Sequence, residues 1–484
     1  MESAGVSDPE REKPRALGIL RQAADAADAF LSAVDEAPGA PAGVDEAADL
    51  FAVGPLPQVG VGGAVAIDEL VRLGIPAATG SAGPRFFHFV TGGATPAALA
   101  AEWLTSALDQ NSFSWVSSPL GSRAERVALS WLKELFELPA EWGAVLTTGA
   151  TMANFTALAA ARRWWALEHG RDVDAHGFCG LPELPVLSSG YIHASVVKSL
   201  AMLGIGRNSV RRLAVDPTGR LDLAALDAEL KRLGDQPVLL IATAGEVNAG
   251  DFDPVAEMAG LAHGRRAWLH VDGAFGLFAR VSSVARELGC GIQRADSVIA
   301  DGHKWLNVPY DCGFAFVRDP ALMHGTFGAT GAPYLPVGTD ARPSYGDSGP
   351  EMSRRARSLA VWATLKAYGR AGYREMVDRH IRLAQRVGEQ VDADSDLELL
   401  APVRLNVVCF RYHPRGAPEG TIDDLNRRLG AAIQSDGRVY FGTTIYGDRV
   451  AFRPAISNWR TSEPDVDLIV EVTKELGSKL LATT

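Results

Sequence analysis

The sequence predicts an α/β protein with a mostly parallel main sheet, flanked by helices, and a smaller α/β domain at its C-terminal end. Two short apolar runs carry this prediction, AWLHVD at 267–272 and DSVIAD at 296–301. Apolar runs of this length that end on an acidic residue are typical of strands buried inside a parallel sheet. Ligands bind beyond the carboxyl ends of such strands, so Asp272 and Lys304 are predicted to lie at one site.

The composition is that of a globular protein. The chain has 484 residues, enough for two or three domains, with 47% hydrophobic and 22% charged residues. Its net charge of −11 argues against a nucleic-acid-binding surface. No apolar run reaches the roughly 20 residues of a membrane span. The opening MESAGVSDPEREKPR lacks the order of a signal peptide, and the four cysteines form no CxxC pattern, so we expect a cytoplasmic protein with reduced thiols.

Lys304 and Asp272 together favour carbonyl-amine chemistry. A lysine that is desolvated in a pocket loses its charge and can hold an aldehyde as a Schiff base. Pyridoxal 5'-phosphate (PLP) needs such a lysine, and it needs an acid at its ring nitrogen so that the ring accepts electrons. A core ion pair, or a lysine exposed on a loop, is the alternative explanation for these two residues.

The segments around these residues resemble a known family. HVDGAFG and ADGHKWLNVPYDCG are similar to segments of the group II PLP-dependent amino-acid decarboxylases, which include aromatic-L-amino-acid, glutamate and histidine decarboxylases. The resemblance implies a fold-type I PLP enzyme in which Lys304 carries the Schiff base and Asp272 contacts the ring nitrogen. It also implies that Ala274, Asp301 and His303 lie beside the cofactor.

Three regions are predicted along the chain. Residues 1–95 form an N-terminal arm with a helix over 16–34, residues 96–372 form the large cofactor domain, and residues 373–484 form the small domain. Family members have an arm that wraps over the partner subunit, so the resemblance implies a homodimer with the active site at the subunit interface. An arm packed on its own subunit is the alternative. The other predicted elements are helices over 96–108, 122–138, 281–288, 375–393 and 464–481, and strands over 403–411 and 450–455.

The segment AVLTTGATMANF at 144–155 predicts a strand, a turn of small residues and a helix that begins near Met152. Free N–H groups and the helix dipole at such a start bind phosphate. Ala150 and Thr151 are therefore predicted to bind the cofactor phosphate, as the similar segment of the family implies. Thr151 could instead only cap the helix.

Two further strand ends carry cofactor candidates. The resemblance implies that His193, in an H-x-S segment, stacks on the pyridine ring and reaches the substrate carboxylate; the alternative is a core or surface histidine. Thr243 ends the next strand and is predicted to lie near the cofactor. Family members usually have two threonines after Gly245, where this chain has Glu246 and Val247. Glu246 is expected either to pair with a cationic substrate or adjust the imine, or to point to solvent.

The block before the phosphate segment resembles aromatic-amino-acid decarboxylases in particular, through FSWVSSP at 113–119. In that family, residues of this block line the substrate pocket, partly from the neighbouring subunit. Phe89, Thr91 and Trp115 are the substrate-binding candidates by position. Burial in the core is the alternative for each of them.

A Gly/Pro-rich loop lies within 318–360, and its length predicts a lid or a disordered segment. Counted back from Arg354, Tyr345 stands at the position of the tyrosine in the family's mobile loop. The resemblance implies that this tyrosine protonates the substrate carbon after carbon dioxide leaves. A phenol is neutral at pH 7 and can donate this proton. Tyr334 is the competing candidate, and a tyrosine without a chemical role is the alternative.

The leading hypothesis is decarboxylation of an L-amino acid, possibly an aromatic one, to the amine and carbon dioxide. The alternative is another PLP reaction, such as amino transfer or oxygen-dependent aldehyde formation, because the two residues after Gly245 depart from the family. A metal or binding site formed by His270, Asp272, Asp301 and His303 is the third hypothesis. We expect no metal there, because His270 and Asp272 are predicted to face opposite sides of their strand.

Overall fold

The computed structural model describes residues 8–51, 54–328, 338–339 and 341–482. The strands of its main sheet are β1 (Gly143–Thr147), β2 (Val186–Ser188), β3 (Val210–Arg212), β4 (Val238–Thr243), β5 (Ala267–Asp272), β6 (Ser297–Asp301) and β7 (Gly313–Val317). Their order across the sheet is β1-β7-β6-β5-β4-β2-β3. The strands from β2 to β6 pair in parallel, and β7 is antiparallel to both β1 and β6.

Fourteen α-helices in the described residues cover the sheet and the C-terminal part. They are α1 (Ala16–Ala33), α2 (Val44–Leu50), α3 (Gly63–Glu69), α4 (Pro96–Leu108), α5 (Pro119–Phe136), α6 (Ala150–Glu168), α7 (Val173–His176), α8 (Ala194–Met202), α9 (Leu223–Leu233), α10 (Val255–Ala262), α11 (Pro320–Phe327), α12 (Ser358–Ala393), α13 (Glu419–Asp436) and α14 (Glu463–Ala482). Helix α6 packs against β5, β6 and β7, and α12 packs against α4 and α5. No helix in the described part of the chain is long and apolar enough to cross a membrane.

The register of the central strands brings their polar ends together. Strands β4 and β6 are buried along their whole length, as their apolar sequences predict, and β5 is buried from its second residue onward. Thr243 pairs with Asp272, and Asp272 pairs with Ile299, two residues before Asp301. Since these strands are parallel, Thr243, Asp272 and Asp301 lie at the same edge of the sheet.

A second, antiparallel sheet lies in the C-terminal part, formed by β8 (Leu397–Leu399), β9 (Phe410–Tyr412), β10 (Thr443–Tyr446) and β11 (Arg449–Phe452). Its core also includes Phe87, whose N–H donates to the carbonyl of Tyr440 at 2.8 Å. The predicted strand over 403–411 is therefore wrong in extent, since only its last two residues belong to β9. The domain boundaries predicted after residues 95 and 372 remain predictions.

Three further predictions of local structure differ from what is observed. The crossover segment near 281–288 is not an α-helix but short 3-10 turns, because Ser282 Oγ accepts the N–H groups of Val284 and Ala285 and competes with helical bonding. The helix predicted to begin at residue 375 begins at Ser358 and bends at Gly369, where φ is 58°. The segment predicted as a loop contains α11, which Asp319 caps.

Candidate active site

A cavity of about 310 Å³ opens beside the edge where the central strands end. All the residues predicted to bind the cofactor line it, namely Ala150, Thr151, His193, Thr243, Asp272, Ala274, Asp301, His303 and Lys304. The other residues that line it include Tyr191, Val247, Phe275 and Tyr310. The topology therefore gathers in one place residues that are spread over more than 150 positions of the sequence.

One end of the cavity is formed by the start of α6. Gly149 precedes the helix with a φ of 150°, and a Cβ on it would lie 2.9 Å from His303 Cε1, so only glycine fits this turn. The Asp301 carboxylate accepts the first N–H of α6, from Ala150. The helix start thus already binds an anionic oxygen, which is the chemistry that a phosphate group requires.

Lys304 lies beside this end of the cavity. Its Nζ is 3.1 Å from Asp301 Oδ2 and 5.9 Å from the centre of the Phe275 ring. The N-terminal segment packs on the backbone of Lys304 at Gly92, where a Cβ would lie 1.6 Å from the Lys304 carbonyl oxygen. The close approach of Gly92 therefore limits movement of the backbone that carries the lysine.

Asp272, which also lines the cavity, is held by two hydrogen bonds. Its Oδ2 accepts from Asn154 Nδ2 at 3.1 Å, and its Oδ1 accepts from the N–H of Ala274 at 3.1 Å. Asn154 Oδ1 also lies 2.9 Å from His270 Nε2. The prediction that His270 and Asp272 face opposite sides is wrong, because residues two apart on a strand share a face.

His193 and His303 are neutral imidazoles on the cavity wall. His193 caps α8, and its Nδ1 contacts Ser195, lying 3.2 Å from the N–H and 2.8 Å from Oγ. The His303 ring stacks on Tyr310 with ring centres 4.2 Å apart, and its Nδ1 accepts the N–H of Cys312. Burial lowers the pKa of both His193 and His303, so neither ring adds a positive charge at pH 7.

Comparison with known proteins decides the family. Residues 67–413 match the family described as the pyridoxal-dependent decarboxylase conserved domain. The chain is 34% identical over 437 residues to L-2,4-diaminobutyrate decarboxylase of Rhizobium meliloti, covering 87% of this chain and 84% of the relative. It is 30% identical over 404 residues to aromatic-L-amino-acid decarboxylase of Bacillus atrophaeus, covering 82% of each. The chain belongs to the pyridoxal-dependent decarboxylase family.

A solved structure agrees with this assignment. The crystal structure of Oryza sativa TDC with PLP and tryptamine superposes with a TM-score of 0.86 and 26% identity, covering 97% of this chain and 98% of that chain. The predicted family, the fold-type I architecture and the PLP cofactor are thereby confirmed. The protein is a PLP-dependent carboxy-lyase that acts on an amino acid.

The cavity of this decarboxylase fits PLP. It joins an anion-binding helix start, a lysine and a buried carboxylate, which are the groups that the phosphate, the aldehyde and the ring nitrogen need. Thr243 Oγ1 is buried and has no hydrogen-bond partner within the described residues. An unpaired hydroxyl that lines a cavity is available to a bound cofactor.

Glu246 and Val247, the two residues after Gly245 that depart from the family pattern, are placed differently from what the sequence predicted. Glu246 neither lines the cavity nor points to solvent. Its carboxylate accepts from Asn248 Nδ2 at 2.6 Å and from the N–H of Ala249 at 2.8 Å, inside its own buried turn. Burial raises the pKa of the Glu246 carboxyl. Val247 is the residue that faces the cavity.

The three substrate-binding candidates lie outside this cavity. Phe89 is 63% exposed and has a φ of 57°, so its ring projects from the surface of the chain. Thr91 is buried, and its hydroxyl donates to the carbonyl of His88 at 3.2 Å. Trp115 lies under the guanidinium of Arg342, 5.7 Å from its ring centre. Their roles remain predictions.

Tyr345 also lies outside the cavity that contains Lys304. It is buried beside a second cavity, which Trp142 and Ala144 also line. The guanidinium of Arg354 lies 5.8 Å from its ring centre, and burial raises the pKa of its phenol. Its predicted role as proton donor remains a prediction, and Tyr334 lies outside the described residues.

Two groups of residues were not predicted from the sequence. Tyr191 and Tyr310 line the cavity as aromatic walls, and nothing in their local sequence distinguishes them from core tyrosines. Asn154 holds Asp272, and it lies four residues after Ala150 on the same face of α6, a spacing that could have indicated it. Within the described ranges, no group of three or more His, Cys, Asp or Glu side chains is placed to hold a metal ion.

Proposed function

We propose that this enzyme decarboxylates an L-amino acid with an aromatic side chain, using PLP carried on Lys304. The observation that supports this proposal most directly is the convergence of Lys304, Asp272 and the start of α6 on one cavity. When bound, PLP withdraws the electrons of the bond between Cα and the carboxylate.

The residues of the chain take distinct roles in this proposal. Ala150 and Thr151 bind the phosphate at the start of α6, and Asp272 accepts a hydrogen bond from the protonated ring nitrogen. His193 covers one face of the ring, and its Nε2 is free to donate towards the substrate carboxylate because Nδ1 is engaged by Ser195. Lys304 would yield its bond to the cofactor aldehyde to the substrate amine, and it would take that bond back when the product amine leaves.

The class of side chain follows from the walls of the cavity. Phe275 and Tyr310 offer aromatic surfaces, and Val247 replaces a polar residue with an apolar one. The two carboxylates of the cavity, Asp272 and Asp301, already have other partners, Asn154 and Ala274 for Asp272 and Lys304 for Asp301. A cationic side chain would therefore compete for acids that are engaged, whereas an aromatic side chain would pack on the walls.

The test is a panel of L-amino acids incubated with the holoenzyme, with mass spectrometry of the products and a separate assay for carbon dioxide. We expect one amine and one carbon dioxide per turnover, with tryptophan, tyrosine or phenylalanine preferred over 2,4-diaminobutyrate by at least about tenfold. Preference for 2,4-diaminobutyrate would contradict the aromatic assignment. Release of a keto acid, or of aldehyde with ammonia and hydrogen peroxide, would contradict decarboxylation to the amine.

We also propose that the enzyme is a homodimer with the active site at the subunit interface. Exposed apolar side chains support this proposal, on α1 at Leu17 and Leu20 and on α4 at Trp103, Leu104 and Leu108. Light scattering coupled to size exclusion should give the mass of two chains. Leu104→Glu should yield monomers with reduced amine formation, whereas Leu481→Glu, exposed on the last helix, should not. A monomeric wild type with full activity would contradict the proposal.

A cytoplasmic location is proposed as well. The four cysteines are unpaired in the structure, two of them exposed and two buried, which suits a reducing compartment. Thiol titration of the unfolded protein purified without reductant should find four free thiols, and a lower number would count against this location.

A further inference from the structure

A buried chain of hydrogen bonds leads through the interior to Asp272. Trp268 Nε1 lies 2.9 Å from Ser297 Oγ, which lies 2.8 Å from His270 Nδ1. His270 Nε2 lies 2.9 Å from Asn154 Oδ1, and Asn154 Nδ2 lies 3.1 Å from Asp272 Oδ2. Each of these side chains is at most 4% exposed, so the links are shielded from bulk solvent. We name this set the Trp268–Asp272 chain.

The two end groups of the Trp268–Asp272 chain, the indole and the carboxylate, determine which group donates in each of its hydrogen bonds. The indole Nε1–H can only donate, so Ser297 Oγ accepts there and uses its own proton towards His270 Nδ1. An ionised carboxylate can only accept, so Asn154 must present its N–H₂ group to Asp272. The reversed amide would place two oxygens against each other.

The protonation of His270, in the middle of the Trp268–Asp272 chain, agrees with the directions that the two end groups require. Burial lowers the pKa of His270 to about 4, so its ring is neutral at pH 7 and carries one proton. Since Nδ1 accepts from Ser297, that proton is on Nε2 and is donated to Asn154 Oδ1. Each link therefore points towards Asp272, and hydrogen bonds aligned in this way strengthen one another in a low-dielectric interior.

Asn154 is also a branch point. Its Nδ2 lies 3.4 Å from Ser195 Oγ, and that hydroxyl lies 2.8 Å from His193 Nδ1. One amide therefore contacts the carboxylate at one end of the cavity and, through Ser195, the imidazole on its wall.

We propose that the Trp268–Asp272 chain is a one-way relay of donors that positions the Asp272 carboxylate and keeps it an acceptor for the ring nitrogen of the cofactor. The proposal rests on the function proposed above, because it takes Asp272 as the partner of that nitrogen. Its other four members act as positioning residues, since none of them is expected to touch substrate.

The first test observes the proton on His270 directly. In holoenzyme labelled with ¹⁵N-histidine, the His270 signals, assigned by their loss in His270→Gln, should show a protonated Nε2 and an accepting Nδ1. Ser297→Ala should shift Nδ1 and leave the proton on Nε2. A proton on Nδ1 in the wild type would overturn the direction of the relay.

The second test measures the dissociation constant of PLP by absorbance titration. A glutamine amide nitrogen lies as many bonds from Cα as His Nε2, so His270→Gln can still donate to Asn154, whereas His270→Asn is one atom too short. We expect His270→Gln to bind PLP within about threefold of wild type and His270→Asn about tenfold more weakly. Equal losses in the two variants would indicate a merely structural histidine and would overturn the proposal.

Ser297→Ala removes one hydroxyl from the relay and changes no other side chain. We expect it to weaken PLP binding by about three- to tenfold. Ser188→Ala is the matched control, because Ser188 is a buried strand serine whose hydroxyl donates only to the carbonyl of Ile241. Equal PLP affinity in the two serine variants would contradict the relay. The NMR experiment and the PLP titrations use no amino-acid substrate, so a wrong substrate assignment would leave their results unchanged.

Discussion

The cofactor side and the substrate side of this site differ in how the chain forms them. Every cofactor residue predicted from the sequence lines one cavity and lies within three residues of the end of a strand or the start of a helix. The residues predicted for the substrate side, Phe89, Thr91, Trp115 and Tyr345, are all described, and none of them lines that cavity. The interior of a single chain is sufficient for the first set. The second set is partly exposed and partly buried elsewhere, and it would reach the cavity only if the proposed dimer or a change of conformation brought it there.

Exposure shows the same contrast in physical terms. Asp272 is 3% exposed and has a partner on each oxygen, so its position is determined by packing and hydrogen bonds within one chain. Phe89 is an exposed aromatic side chain at a positive φ, a combination that costs free energy unless another surface covers the ring. Variants on the two sides should therefore fail in different ways.

Lys304→Ala should produce the largest loss. Without the ε-amino group PLP has no covalent attachment, so the visible absorbance of the lysine-bound cofactor should disappear and amine formation should fall to background. The matched control is Lys366→Ala, an exposed lysine on α12, which should retain both signals. If the absorbance persisted in Lys304→Ala, the attachment site would be a different lysine.

Asp272→Asn should retain PLP but lose most of the activity. The amide has nearly the shape of the carboxylate, but it carries no charge to keep the ring nitrogen protonated, so kcat should fall by about 10²–10³-fold. Asp296→Asn is the control, since Asp296 precedes β6 at the opposite edge of the sheet and accepts the N–H of Leu269. Similar kcat values for the two variants would show that Asp272 has no role in the reaction.

Tyr345→Phe tests the substrate side. If the Tyr345 phenol reaches the cavity that contains Lys304 in the working enzyme, its removal should leave PLP binding unchanged. Amine formation should then fall by about 10²-fold, the contribution of one general acid. Tyr368→Phe, half-exposed on α12, is the control. Full amine formation by Tyr345→Phe would remove this residue from the mechanism and leave its buried contact with Arg354 as its role.

The sequence predicts the cofactor side well because local patterns determine it. Apolar runs that end on acids locate β5 and β6, and a turn of small residues locates the start of α6. The turn of Glu246 was not predictable, because it depends on which neighbouring N–H groups remain unpaired after the chain folds. The error over His270 and Asp272 came from misapplying the strand period, because side chains two positions apart point to the same face. Tyr345 was found by its offset alone, and an offset carries no information about packing.

Asp253→Asn should have the smallest effect, on stability. Asp253 lies behind Thr243 on the cofactor side, where its Oδ2 accepts the Thr243 N–H at 2.7 Å and the Ser189 hydroxyl at 2.8 Å. Burial raises the pKa of this carboxyl to about 7, against about 4 in an unfolded chain. The folded state thus binds a proton that the unfolded state releases, so the stabilising contribution is complete below about pH 4 and is lost as pH rises towards 7.

The loss can reach about 1.4 kcal/mol per pH unit within that window. The asparagine keeps an oxygen acceptor but has no proton to release. We therefore expect the melting temperature of the PLP-loaded wild type to fall between pH 5 and 7 more steeply than that of Asp253→Asn, by a few degrees. If the melting temperatures of the two proteins fell equally with pH, water would reach Asp253. The cofactor side would then be less closely packed than its buried strands indicate.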